Sequence, residues 1–258
     1  MNWYRIKTVL IFLFLAINMF LAALLGIEAF SGSRAVRERI AAATDVLMKN
    51  GIVVATDIPT ETPRLGTLTL ENPKANPEKF AERLLGGAAV RLGDIWRREG
   101  KSVTIREKGF TYDSGAVPVE ADKKSIKPMK TALENMGFSM EYAKGTVEEG
   151  VVLFVQIVEG APLCGVGLKV FPAGDGTISR IEGVWAEVVE TSDEKTQLRS
   201  AADALLSFLR EGEAGSTVTD VTVGYAVLVP EEGYHTADAV PVWQVKTEDG
   251  HFFQYDAR

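Results

Sequence analysis

The sequence predicts an α+β protein: one N-terminal transmembrane helix, then two similar small domains, each with helices packed on an antiparallel sheet. Three observations carry this. Thr8–Ile27 is an uncharged apolar run of twenty residues, the length a helix needs to cross a hydrocarbon core. Beyond it, stretches of helical period and of strict alternation mix along the chain. Their order is similar in two halves, namely helix, strands, helix, then three strands.

The first element is the apolar run. Arg5 and Lys7 precede it, and Glu28 follows it, with Arg34 the nearest basic residue beyond. That bias predicts a cytoplasmic N-terminus, residues 1–7, a span at 8–27 and an extracytoplasmic remainder. Trp3 and Tyr4 suit the headgroup region. A cleaved signal peptide would have an apolar core of roughly 7–15 residues and a small-x-small site. LLGIEAFSG supplies no such site, so an uncleaved signal-anchor is expected. Asn18, Ala22 and Gly26 recur at four-residue spacing and so share one helix face. A small or polar residue at each fourth position permits close helix–helix approach in lipid, which makes this face the candidate partner-binding surface.

The first domain is expected over residues 33–115. Ser33 can cap a helix after a break at Ser31-Gly32, with Val36, Ile40, Ala43 and Leu47 on one face. Asn76-Pro77 starts a second helix, with Phe80, Ala81, Leu84 and Leu85 buried and Gly86-Gly87 ending it. Strands follow near Ile95–Arg98, Ser102–Ile105 and Phe110–Tyr112. The polar stretch Ser114–Ser125 is the expected boundary.

The second domain is expected over 125–258. A helix at Ile126–Met136 precedes the dense apolar strand Val151–Val158, expected in the interior of a sheet. Gly167–Phe171 and Ile178–Val189 follow as strands, joined by the turn residues 173–176. Asp193 can cap a helix running to about Arg210, with Leu198, Ala201, Ala202, Leu205, Phe208 and Leu209 inward. Thr217–Val229 alternates, placing Val221, Val223, Tyr225, Val227 and Val229 on one face. Val242–Thr247 and His251–Tyr255 flank Glu248-Asp249-Gly250, a hairpin signal.

The formal charge of -7 argues against a nucleic-acid partner, because phosphate binding needs clustered cations. Cys164 is the only cysteine, so no internal disulfide forms. It reads as a small core residue. His235 and His251 lack any metal-ligand spacing and read as surface residues. Gly165–Gly167 lacks the third glycine of a dinucleotide loop and reads as a plain turn. The pairs Glu148-Glu149 and Glu231-Glu232 read as solvated charge. No catalytic residue, metal site or cofactor is expected. An enzyme of the cell-wall hydrolase kind would require a cleft with convergent carboxylates or histidines.

Residues at both ends resemble a known family. The opening MNWYRIKTVLIFLFLAINMFL, with Trp3, Ile6, Lys7, Asn18, Phe20 and Leu21, is similar to the start of the YycI proteins. AADALLSFL at 201–209 resembles their last long helix. VTVGYAVLV at 221–229 resembles their Gly-Tyr strand, here Gly224 and Tyr225. Residues 239–257 resemble their closing Pro-x-Trp hairpin, here Pro241 and Trp243. The resemblance implies a non-enzymatic protein with one span and an extracytoplasmic pair of α+β domains. It implies binding and adjustment of a cell-wall sensor histidine kinase of the YycG/WalK type, with a YycH-like protein as a further partner and lipid around the span. The Pro-x-Trp ending also resembles PepSY-type domains and YpeB. That alternative implies an extracytoplasmic inhibitor or chaperone of a cell-wall hydrolase or protease.

Overall fold

The computed structural model describes residues 3–106, 109–228 and 235–258. The side chains of residues 3–6, 8–10, 12 and 21–33 fall outside that description, as do Val229, Glu231 and Glu232 of the sequence reading. The helices are α1 (Trp3–Lys49), α2 (Pro77–Leu85), α3 (Ile126–Asn135) and α4 (Ala201–Phe208). The first strands are β1 (Val53–Val54), β2 (Arg64–Leu65), β3 (Leu68–Glu71), β4 (Val90–Leu92), β5 (Ile95–Arg98), β6 (Lys101–Arg106), β7 (Gly109–Asp113) and β8 (Ala143–Glu148). Then come β9 (Val151–Val158), β10 (Ala161–Pro172), β11 (Ile178–Val184), β12 (Glu187–Thr191), β13 (Thr196–Gln197), β14 (Thr217–Val227), β15 (Thr236–Thr247) and β16 (Phe252–Asp256). The mixed α+β class is therefore present, with sheet predominant.

Contacts divide the chain into two compact units, each drawn from three stretches. The first takes Met1–Thr62, Arg199–Thr222 and Val245–Phe253; the second takes Pro63–Leu198, Val223–Gln244 and Gln254–Arg258. Ser114–Ser125 lies within the second unit.

In the first unit, the last turns of α1 bury Ala43 and Leu47. The α4 helix offers Ala201, Ala204, Leu205 and Phe208 as its buried face. It starts with a capping box, Ser200 Oγ to Asp203 Oδ2 at 2.7 Å and Ser200 N to the same oxygen at 3.0 Å. Phe208 meets the Phe253 ring edge-on at 5.0 Å. The short β1 pairs in parallel with β14 at Val53↔Thr217 and Val54↔Val218.

In the second unit, eight strands run in the order β8-β9-β10-β11-β7-β6-β5-β4, all antiparallel. Alternation sends Val103, Tyr112, Ile181, Val170 and Val152 to one face in register. There they join the core of α2 and α3, with Phe80, Leu84, Met129 and Leu133. Asn76 caps α2 by accepting from Lys79 N, and Gly86 ends it at φ 76°. Gly145 leaves the space that Ile126 and Phe154 fill, where a Cβ would stand 2.6 and 2.8 Å from them. Three hairpins close on Glu-Gly pairs, Glu99-Gly100, Glu149-Gly150 and Glu159-Gly160, all with positive φ. Such paired left-handed residues match the twist of a two-residue hairpin. Glu149 is thus a turn residue.

Four expectations need correction. First, α1 is continuous through Ser31-Gly32, where a break and a Ser33 cap were expected. An interior glycine costs only about 1 kcal/mol relative to alanine, too little to stop a long helix. Second, the helix expected from Asp193 begins only at Ala201, because the Ser200–Asp203 box starts it there. Thr196-Gln197 instead pair with Arg64-Leu65 as a strand. Third, Gly165–Gly167 is no turn: it lies inside β10, at a register shift against β9, with Gly165 at φ 74°. Fourth, the single strand expected at Ile178–Val189 is two, β11 and β12, parted at Trp185-Ala186. The expected interior strand Val151–Val158 is β9, flanked by β8 and β10.

Candidate functional site

The residues singled out from the sequence fall in two places. Trp3, Lys7, Asn18, Ala22 and Gly26 are on α1. The side chains of Trp3, Ala22 and Gly26 lie outside the described residues. Asn18 is exposed, and its Nδ2 donates to the Phe14 carbonyl at 2.9 Å, one turn back. Part of its hydrogen-bonding demand is therefore met within its own helix. Around it Ile11, Leu13, Phe14, Leu15, Ile17, Met19 and Phe20 are all exposed. Among the described residues no helix is long and apolar enough to cross a membrane.

Gly224, Tyr225, Pro241 and Trp243 lie in the second unit, on β14 and β15. Trp243 is 1% exposed and Tyr225 fully buried. Tyr225 is the residue of β14 that pairs with Leu163 of β10. Its hydroxyl reaches Glu159 Oε2 at 3.5 Å, and Lys195 Nζ stands 2.5 Å from Glu159 Oε1. Burial, and then the Glu159 charge, push the phenol upward, so it stays protonated and donates. Gly224 leaves room for Cys164 and the Pro162 carbonyl. Burial pushes the Cys164 thiol up to about 11. A thiol so placed carries almost no thiolate at neutral pH and is a poor nucleophile.

A second cluster was not picked out from the sequence. Arg83 of α2 lies over the rings of Phe80 and Phe138, 5.3 and 5.7 Å from their centroids. Its Nη1 is 4.0 Å from Glu187 Oε1 at the start of β12. Burial raises the Glu187 carboxyl, Arg83 and a backbone N–H of Ser139 oppose the rise, and Glu71 adds to it. Glu71 is directly opposite on β3. Trp185 Nε1 and Glu187 Oε1 are buried without a hydrogen-bond partner among the described residues. Phe138 meets Trp185 edge-on at 6.2 Å. The only sequence signal was the interruption of an alternating strand at Trp185.

Gln156 was also missed. It is 2% exposed, donates from Nε2 to the Ala186 carbonyl at 2.7 Å and accepts from Ala186 N at 3.4 Å. Its side chain thus acts as a strand partner where β11 and β12 part. A lone amide in the apolar run VVLFVQIV could have signalled this, since a buried amide must be bonded.

Among the described residues, no group of three or more His, Cys, Asp or Glu side chains is placed to hold a metal ion. Glu159, Glu187 and Gln156 each tie one strand or loop to another. The chain is of the class of sheet-dominated α+β folds. It belongs to the YycI family: the YycI protein family matches residues 31–255. Membership points to an accessory regulator in the YycG/WalK system, from a regulatory family rather than a family of known enzymes. No curated protein matches the chain. Among solved structures it is similar to an uncharacterized protein from Eubacterium rectale ATCC 33656, at 15% identity and a TM-score of 0.43, over 80% of this chain and 87% of that one.

Proposed function

We propose that this chain is a non-enzymatic, membrane-anchored regulator that binds and modulates a sensor histidine kinase of the YycG/WalK type. The family match is the main support, and α1 carries the mechanism. Its exposed apolar residues between Ile11 and Phe20 surround the helix, and a helix apolar all round needs lipid or protein about it. The bilayer supplies that cover, with residues 1–7 in the cytoplasm and Arg258 outside.

The same helix continues to Lys49, where Ala43 and Leu47 are buried in the first unit. A displacement of that unit would pass along α1 into the span, because a continuous helix transmits shift and rotation along its axis. Such a shift biases a kinase only if the span packs differently against the kinase's two signalling states. The Asn18, Ala22 and Gly26 face is the contact.

Co-purification from detergent-solubilised native membranes tests the reading. A sensor kinase recovered with the full chain supports it. Recovery of only a hydrolase or protease would favour the inhibitor or chaperone reading. Protease added to intact protoplasts tests the orientation: digestion of the C-terminal region is expected, and full protection would reverse it.

A further inference from the structure

The corner formed by β4, β5 and β6 is rich in cations. Between Ala88 and Arg106 stand Arg91, Arg97, Arg98, Lys101 and Arg106 against Asp94 and Glu99 only, in a chain of net charge -7. Ala88, Val90, Arg97, Arg98, Lys101 and Ser102 line a groove here of about 550 Å3. Two of the cations are engaged. Arg91 lies over Trp96 at 5.0 Å and donates from Nε to the Gly93 carbonyl at 2.9 Å. Arg98 pairs with Glu99 at 3.2 Å and lies against Gly87, where a Cβ would stand 1.8 Å from its Nη1. Arg97 and Lys101 are exposed and form no ion pair among the described residues.

The strand β4 ends the sheet, with β5 its sole partner among the described strands. Its hairpin turn is Gly93-Asp94, closed by the pair Leu92↔Ile95. In a two-residue hairpin the closing pair exchanges both backbone bonds, and the next pair exchanges none. The N–H and C=O of Arg91 therefore point away from β5, toward the open side. Val90 and Leu92 are 66% and 56% exposed on either side of it. Such an edge offers backbone bonds and alternating side-chain contacts to an added strand. A second copy of this chain is disfavoured as the occupant, because antiparallel β4–β4 pairing would set Arg91 beside Arg91.

We propose that this edge binds an extended acidic peptide segment of another protein. The segment adds as a strand along β4, meets the backbone of Arg91, and places its carboxylates on the face of Arg97, which is opposite Val90 in register. This site is independent of the α1 face, so either can fail without the other.

The test uses the full chain in detergent and a synthetic peptide of alternating valine and glutamate. Binding is expected, with slowed hydrogen exchange at the Arg91 amide. Arg97→Glu should weaken it by at least about tenfold. Methylating alternate backbone nitrogens of the peptide, which keeps its charge, should weaken it by a similar factor. Unchanged near-ultraviolet circular dichroism of the Arg97→Glu variant would show the fold retained. Absent binding would overturn the proposal. Equal binding of the methylated peptide, or equal competition by inorganic polyphosphate, would also overturn it, leaving a patch that attracts any polyanion.

Discussion

Gly224 leaves the space that the Cys164 sulfur occupies: a Cβ at 224 would stand 2.6 Å from Sγ and 3.0 Å from the Pro162 carbonyl oxygen. Both neighbours are short or fixed, so neither can swing aside. Gly224→Ala should destabilise by about 1–3 kcal/mol through overpacking. In the Cys164→Ala background the cost should fall, since the Sγ clash is gone. Urea unfolding of both single variants and the double variant reads this as a coupling energy. Equal cost in both backgrounds would place the strain on Pro162 alone.

Trp243 is 1% exposed in the interior of β15. Trp243→Ala should cost about 3–5 kcal/mol by leaving a cavity. The unfolding midpoint measures it. A normally stable variant that lost only a partner would assign the indole to recognition instead of packing.

Glu187 should make stability depend on pH. Its carboxyl is raised above 4.5, chiefly by burial, against the pull of Arg83. A proton is therefore held more tightly in the folded state than in the unfolded one. The stabilisation from that proton is full below the unfolded value and is lost as pH rises through the folded one. Wild type should accordingly gain on Glu187→Gln as pH falls from 7 toward 4.5. Parallel urea titrations of the two proteins isolate this group from the other carboxylates. A constant difference across that range would mean that Arg83 cancels the burial effect.

The proposed α1 contact can be tested with residues 50–258 removed, in a membrane two-hybrid assay against a sensor kinase of the YycG/WalK type. Gly26→Leu should reduce association more than Asn18→Leu. Bulk at Gly26 separates backbones along the stripe, whereas the Asn18 amide is already bonded to the Phe14 carbonyl. Hydrogen bonds across helices in lipid contribute only about 0.6–2 kcal/mol each. Leu13→Ile serves as the control. Unchanged association for both Gly26→Leu and Asn18→Leu would leave the helix as a plain anchor.

The sequence by itself determined the local elements whose signals are local. Asn76-Pro77 and Gly86 bounded α2, and Ile95–Arg98 and Val151–Val158 were read at their observed limits. Capping atoms, a left-handed glycine and side-chain alternation all act within a few residues, so they can be read without knowing the fold. The family, too, was legible in Gly224, Tyr225, Pro241 and Trp243, which lie within the matched residues 31–255.

Only the tertiary structure decided which strands meet. Nothing near Leu68–Glu71 says that this strand lies between β15 and β12, and nothing near Thr196 says that it pairs with Leu65. A strand's partner is selected by burial on a shared face and by backbone bonds to residues far along the chain, and alternation leaves that choice open. The same limit hid Arg83 and Glu187, which are 104 positions apart and became a pair only when α2 and β12 came together. Their chemistry lies in burial, and burial is a property of the assembled chain.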